Sequence, residues 1–140
     1  MSATAPRTRR VLVIDDEVKF CAVVKEFLTG RGHEVTTVSN GREALSQFEH
    51  FAPDVILLDL VMPGFSGLDL LKLIRERPFP PKVILVTAVD DPEVAEQAMR
   101  LGAHTYVAKP VALETLERLI TGVWINQPSS APPTDAGQAS

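Results

Sequence analysis

Apolar residues in this chain fall into short unbroken runs, and between the runs they recur every three or four positions. Val11-Leu12-Val13-Ile14, Val55-Ile56-Leu57-Leu58 and Val83-Ile84-Leu85-Val86 are the clearest runs. The second of these runs is instructive: residues 55–58 lie between Pro53-Asp54 and Pro63-Gly64 and read as a strand buried on both faces. Periodicity alone does not separate such a run from a short helix, but β-branched content and flanking Pro and Gly favour strand. Residues 34–38 and Thr105-Tyr106-Val107-Ala108 add two further short strands.

Between these runs the spacing predicts helices. Phe20, Val23, Val24, Phe27 and Leu28 repeat at helical intervals and are closed by Gly30 and Gly32. Asn40 followed by Glu43 has the form of a capping box opening a helix with Ala44, Leu45 and Phe48. After a loop over residues 62–66, Leu68, Leu71, Leu73 and Ile74 mark a third helix, stopped by Pro78, Pro80 and Pro81. Asp91-Pro92 supplies an N-cap and a first-turn proline for a fourth, with Val94, Ala98 and Leu101 inward and Gly102 at its end. Leu113, Leu116, Leu119 and Ile120 define a last helix reaching about Trp124.

Alternating apolar strands and helices imply a parallel sheet covered on both faces, with right-handed crossovers. Ligands in such sheets bind outside the carboxyl ends of the strands, near the point where the strand order reverses. The polar residues gather at that rim. Asp15 and Asp16, Asp59, Thr87 and Lys109 each follow a different buried run. Core packing gives no reason for that convergence.

Composition narrows the setting. The chain has 140 residues, enough for one domain, with 45% hydrophobic and 23% charged residues. A net charge of −4 supplies no basic field for nucleic acid; Arg7, Arg9 and Arg10 read as a solvated flank. The single cysteine, Cys21, excludes an internal disulfide and reads as a small buried hydrophobe. No apolar run is long enough to cross a bilayer and no signal peptide opens the chain, so the expected location is cytoplasmic. Residues 1–9 read as a flexible N-terminus, 10–125 as the folded domain, and the Pro-, Ser- and Ala-rich residues 126–140 as a tail or linker.

Clustered carboxylates repel one another and lose hydration, and a hard divalent cation is the natural remedy. Mg²⁺ would take Asp16 and Asp59 directly, Asp15 directly or through water, and the carbonyl of Val61. Lys109 offers a cation and Thr87 a hydroxyl. That set suits phosphoryl transfer, with Asp59 as the nucleophile forming an acyl phosphate.

Asp15-Asp16, Asp59 followed by Met62-Pro63-Gly64 and Gly67, Thr87-Ala88, and Lys109-Pro110 together resemble the receiver domains of two-component response regulators. The match runs from about residue 10 to 124. The resemblance implies a flavodoxin-like α/β fold with strand order 2-1-3-4-5 and five helices. It implies Mg²⁺-dependent acceptance of a phosphoryl group by Asp59 from a sensor histidine kinase or a phosphotransfer protein. Thr87 and Lys109 would bind the phosphoryl oxygens, and Ala88 is small, as a close approach of phosphate would require. Thr87 would move and Tyr106 turn inward, reshaping the surface of the fourth helix, fifth strand and fifth helix for a downstream effector or an output domain. Such a switch responds to a local charge change of about −1.5 to −2. The family also implies a cis bond before Pro110, a protein that is a signalling switch rather than an enzyme with a separate substrate, and a monomer or phosphorylation-dependent dimer. Neither nucleic acid nor membrane is an expected direct partner.

Val61 and Val89 stand where fast-dephosphorylating relatives often carry polar side chains, and neither can orient water, so a long-lived phosphoryl group is expected. Taken singly, Asp15-Asp16-Glu17 reads equally well as a solvated helix start, Thr87 as a strand-end hydroxyl, Lys109 as a surface charge and Tyr106 as packing. His33, His50 and His104 lack metal-ligand spacing and read as surface or loop residues. The chief enzyme alternative is a haloacid-dehalogenase-type phosphatase, which needs an Asp where Val61 stands. A flavin- or nucleotide-binding module lacks its glycine-rich loop after the first strand. Residues 126–140 are too short and polar for a DNA-binding unit, so the expectation is a stand-alone receiver or the front of a longer regulator.

Overall fold

The computed structural model describes residues 9–88 and 91–125. Residues 1–8, Val89, Asp90 and residues 126–140 lie outside that description, as do the side chains of Trp124 and Ile125; the readings made for the N-terminus, the tail and Val89 fall there.

Among the described residues the elements follow in the order β1 (Arg10–Ile14), α1 (Val18–Gly30), β2 (Glu34–Val38), α2 (Gly41–Phe51), β3 (Val55–Leu58), β4 (Val61–Met62), β5 (Phe65–Ser66), α3 (Gly67–Arg75), β6 (Lys82–Thr87), α4 (Pro92–Arg100), β7 (Thr105–Ala108) and α5 (Leu113–Ile125). The main sheet has the order β2-β1-β3-β6-β7 and is parallel throughout. With the β4-β5 hairpin set aside, this is the 2-1-3-4-5 order of the doubly wound fold.

Each central strand is buried on both faces because alternate side chains feed two cores. Leu12, Ile14, Ile56, Leu58, Val83 and Leu85 pack beneath α2, α3 and α4. Val11, Val13, Val55, Leu57, Ile84 and Val86 pack beneath α1 and α5, against Val24, Leu28, Leu116 and Ile120. Burying each such Leu, Ile or Val stabilises the fold by about 1.5–3 kcal/mol relative to exposure. Apolar runs of this kind are stable only at the centre of a covered sheet, which leaves the strand ends as the place for polar side chains.

The starts of α2, α3 and α4 are set by side-chain caps. Asn40 Oδ1 accepts from the Glu43 N–H at 2.9 Å, and Asp91 Oδ1 accepts from the Glu93 N–H at 3.0 Å with Pro92 in the first turn. Ser66, read as loop, caps α3 by accepting from the Asp69 N–H. The loop expected over residues 62–66 is an antiparallel hairpin pairing Val61 with Ser66 and Met62 with Phe65. Leu73 and Val23, counted on apolar helix faces, are 42% and 49% exposed. Their helices already fill the sheet side with Leu70, Leu71 and Ile74 and with Cys21, Val24 and Leu28.

Two surface assignments are corrected. His33 is buried, and its Nδ1 accepts from the Arg9 N–H at 3.1 Å. Arg10 is no solvated flank: its guanidinium lies 4.2 Å from the Phe51 ring centroid, donates to the Phe51 carbonyl and pairs with Glu34 at 2.6 Å. Cys21 is buried as expected.

Candidate functional site

The rim residues are held by the sheet itself. Parallel hydrogen bonding continues one residue past the strands: the Asp15 N–H donates to the Val38 carbonyl, the Asp59 N–H to Ile14, and the Lys109 N–H to Thr87. Each functional side chain therefore leaves a backbone whose position the ladder fixes. Asp15, Asp59 and Thr87 are buried, a costly placement for polar groups unless they are compensated.

Compensation comes from neighbours gathered across the rim. Lys109 Nζ lies 2.7 Å from Asp15 Oδ2, 2.5 Å from Glu17 Oε1 and 3.3 Å from Asp59 Oδ2. Its ammonium also sits 4.6 Å from the Phe20 ring centroid. Asp59 Oδ1 accepts from the Val61 N–H at 3.0 Å, and Asp15 Oδ1 from the Glu17 N–H at 2.9 Å. The Cys21 thiol donates to the Asp15 carbonyl. A cleft of about 430 Å³ opens beside them, lined by Glu17, Phe20, Ala88, Lys109, Pro110 and Val111. The Lys109–Pro110 peptide is cis. Tyr106 is half-buried on β7 and packs against the core beneath α4.

Asp15, Asp16 and Asp59 bring carboxylate oxygens within 4.8 Å of one another. Burial pushes the Asp15 carboxyl above the usual carboxylate range; the hydrogen bond from Lys109 works against this and is outweighed, while the charge of Asp59 adds to the rise. Burial alone would lower the Lys109 ammonium, but its hydrogen bonds to Asp15 and Glu17 hold it well above the ordinary lysine range. Lys109 thus stays charged and answers only part of the negative charge around it. An all-oxygen set, buried at two of its three carboxylates and short of positive charge, fits a hard dication such as Mg²⁺. Val61 lies on the edge of this set with its side chain exposed.

The structure thus brings Asp15, Asp16, Asp59 and Lys109 to one place, with Thr87, Ala88 and Pro110 on the adjoining strand ends, and Tyr106 lies on β7 in register with Leu85 of β6. Sequence reasoning missed the reach of Glu17 to Lys109 and the seat of Lys109 over Phe20. Glu17 directly follows the two aspartates, so the signal was present; Phe20 had been spent on the helix repeat. The hairpin was also missed, although Pro63-Gly64 between Met62 and Phe65 is a turn signal.

Comparison with known proteins converges on one answer. Residues 11–121 match the family model described as the response regulator receiver domain. The sensory transduction protein RegX3 of Mycolicibacterium smegmatis is 39% identical over 113 residues, covering 81% of this chain and 49% of that protein. The regulatory protein AtoC of Escherichia coli is 37% identical over 111 residues, covering 79% of this chain and 24% of that protein. The chain therefore spans between about a quarter and a half of the length of these curated relatives. Among solved structures, a CheY-like receiver domain protein from Methanospirillum hungatei superposes with a TM-score of 0.81 at 27% identity, covering 89% of this chain and all of that one. The chemotaxis response regulator CheY4 of Vibrio cholerae gives 0.76 at 29% identity over 84% of this chain and 99% of its own. With a sheet order, a rim of acids and a family match that agree, the chain belongs to the receiver domains of response regulators, the signalling switches of two-component systems.

Proposed function

We propose that residues 10–125 act as a phosphorylation-dependent switch whose phosphoacceptor is Asp59. The observation that carries this reading is the Asp59 carboxylate at the end of β3, beside Asp15 and Asp16 within 4.8 Å and with Lys109 Nζ at 3.3 Å. An Asp59 oxygen attacks the phosphorus of a phosphohistidine on a sensor kinase or phosphotransfer protein. The phosphorus–nitrogen bond breaks, its electron pair stays with the imidazole, which takes up a proton, and an acyl phosphate forms on Asp59. Asp15, Asp16, Asp59 and the Val61 carbonyl would hold Mg²⁺, which when bound would supply charge neutralisation for the phosphoryl oxygens. Lys109 exchanges its carboxylate partners for a phosphoryl oxygen, Thr87 donates its hydroxyl to another, and the Ala88 methyl leaves space for the group.

The new charge biases a two-state element. On this reading Thr87 is drawn toward the phosphate, Tyr106 turns inward, and the surface of α4, β7 and α5 changes for a downstream protein, an output domain joined through residues 126–140, or a second receiver. The setting proposed is cytoplasmic; among the described residues no helix is long and apolar enough to cross a membrane.

Incubation with acetyl phosphate and Mg²⁺, followed by intact-mass measurement, tests the reading. One phosphate adduct, lost in Asp59→Asn, is the expected result. Continued phosphate release with no adduct would instead favour the aspartyl phosphatase, a reading that the exposed Val61 side chain in the place of a general acid already disfavours.

A further inference from the structure

Asp59 is followed by a segment that folds back on itself before α3 begins. Val61 pairs with Ser66 and Met62 with Phe65, and the turn between them passes through Gly64 at φ +71°. The base of this hairpin is closed by Gly67: a Cβ there would stand 2.7 Å from the Leu60 Cα, closer than backbone can yield. Its tip is closed differently. A Cβ on Gly41, the first residue of α2, would lie 2.0 to 2.4 Å from Cγ, Cδ2 and Cδ1 of Phe65. The Phe65 ring therefore occupies the space that any side chain at position 41 would take. Gly41 is not among the glycines with positive φ, so the backbone does not demand glycine here. The ring does.

This contact bears on Asp59 through a short path. Asp59 Oδ1 accepts from the Val61 N–H, and Val61 is paired across the hairpin to Ser66, next to Phe65. Holding Phe65 against α2 fixes the hairpin, the hairpin fixes the backbone of Val61, and that backbone sets the rotation of the Asp59 carboxylate through its N–H and, in the next peptide, the direction of the Val61 carbonyl. We propose that Phe65, seated on Gly41, is a positioning residue for the acidic site: it ties the start of α2 to the peptide that orients Asp59. The inference rests on the phosphoacceptor reading above for its significance, but its geometry can be tested without phosphate. A ring that merely packs would affect stability and leave the site's geometry alone.

Gly41→Ala, Phe65→Ala and the double variant, each in the full chain, separate the two. Three measurements are made on each: urea stability, exchange of the Val61 amide proton by NMR without metal, and Mg²⁺ affinity by calorimetry. In either single variant the Val61 amide is expected to exchange faster than in wild type. Mg²⁺ is expected to bind about tenfold more weakly or worse, the usual consequence of losing support behind a metal ligand. Because both changes break one contact, the double variant should be no worse than Phe65→Ala alone. Wild-type Val61 exchange and Mg²⁺ affinity in both folded single variants would overturn the proposal, as would simple additivity in the double. If wild-type protein neither binds Mg²⁺ nor takes up phosphate, the phosphoacceptor reading fails, and the Val61 exchange still decides whether the contact positions that peptide.

Discussion

The Cys21 thiol is 4% exposed, and burial pushes its pKa up to about 11, with the charge of Asp15 adding to the effect. The thiolate is the reactive form, so at pH 8 the native protein should react with iodoacetamide about a hundredfold more slowly than the same chain in urea. Labelling at equal rates would show that α1 opens readily at that point. His104 behaves oppositely with pH. Burial, then the charges of Lys82 and Arg75, lower its pKa from 6.5 to about 4. The unfolded chain therefore binds this proton more readily, and the stability owed to neutral His104 is complete above about pH 6.5 and drains away as the pH falls toward 4. His104→Asn, which keeps an acceptor near the Val83 N–H, should flatten the loss between pH 7 and pH 5 in urea titrations. Parallel curves for the two proteins would remove the argument. At Val61 the issue is water. Its exposed isopropyl group stands at the edge of the proposed site, and Val61→Asn is expected to speed loss of phosphate from Asp59 by about tenfold, since an amide can hold an attacking water and a valine cannot. Decay at the wild-type rate would count against that role.

Among the elements, α2 depends on its first turn. Asn40 satisfies the Glu43 N–H, and Asn40→Ala should cost about 1 kcal/mol in urea unfolding while leaving the buried strands untouched. That cap was legible from Asn40 and Glu43 alone, as were the five sheet strands, because unbroken apolar runs such as 55–58 suit little else once Pro and Gly bound them. The rim was legible for the same reason: a carboxylate directly after such a run must reach the strand end, as Asp15 and Asp59 do. What stayed hidden has physical causes. Strands of two residues, β4 and β5, are too short to show a period. Helical spacing marks an apolar stripe but not its width, so Leu73 and Val23 were counted inward when packing had already been completed by others. His33 carries no sequence mark of burial; its backbone partner, Arg9, lies 24 positions away in sequence. The seat of Phe65 on Gly41 is likewise a contact between distant segments, visible only when α2 and the hairpin are brought together.

For the whole molecule the acidic rim is a liability that the rest of the fold carries. Fully buried large side chains, Leu12, Ile56 and Leu85 among them, hold the strands whose ends force Asp15, Asp16 and Asp59 together. Packing is the term that wins, because each core side chain contributes more than one added carboxylate repulsion removes. The repulsion should nonetheless be measurable. Asp59→Asn keeps an oxygen for the Val61 N–H, removes one charge beside Asp15, and gives up only the longest of the Lys109 contacts. Without divalent metal it is expected to be more stable than wild type by about 1 kcal/mol. Mg²⁺ should reverse the order. A ligand bound only by the native state adds about 2.7 kcal/mol at a hundred times its dissociation constant, and wild type, with its full set of carboxylates, should bind more tightly than the variant. Melting curves with EDTA and with saturating Mg²⁺ therefore ought to cross over between the two proteins. If Asp59→Asn is less stable in EDTA, Lys109 already neutralises the rim and the case for a dication there weakens; if Mg²⁺ lifts both equally, Asp59 is not among its ligands.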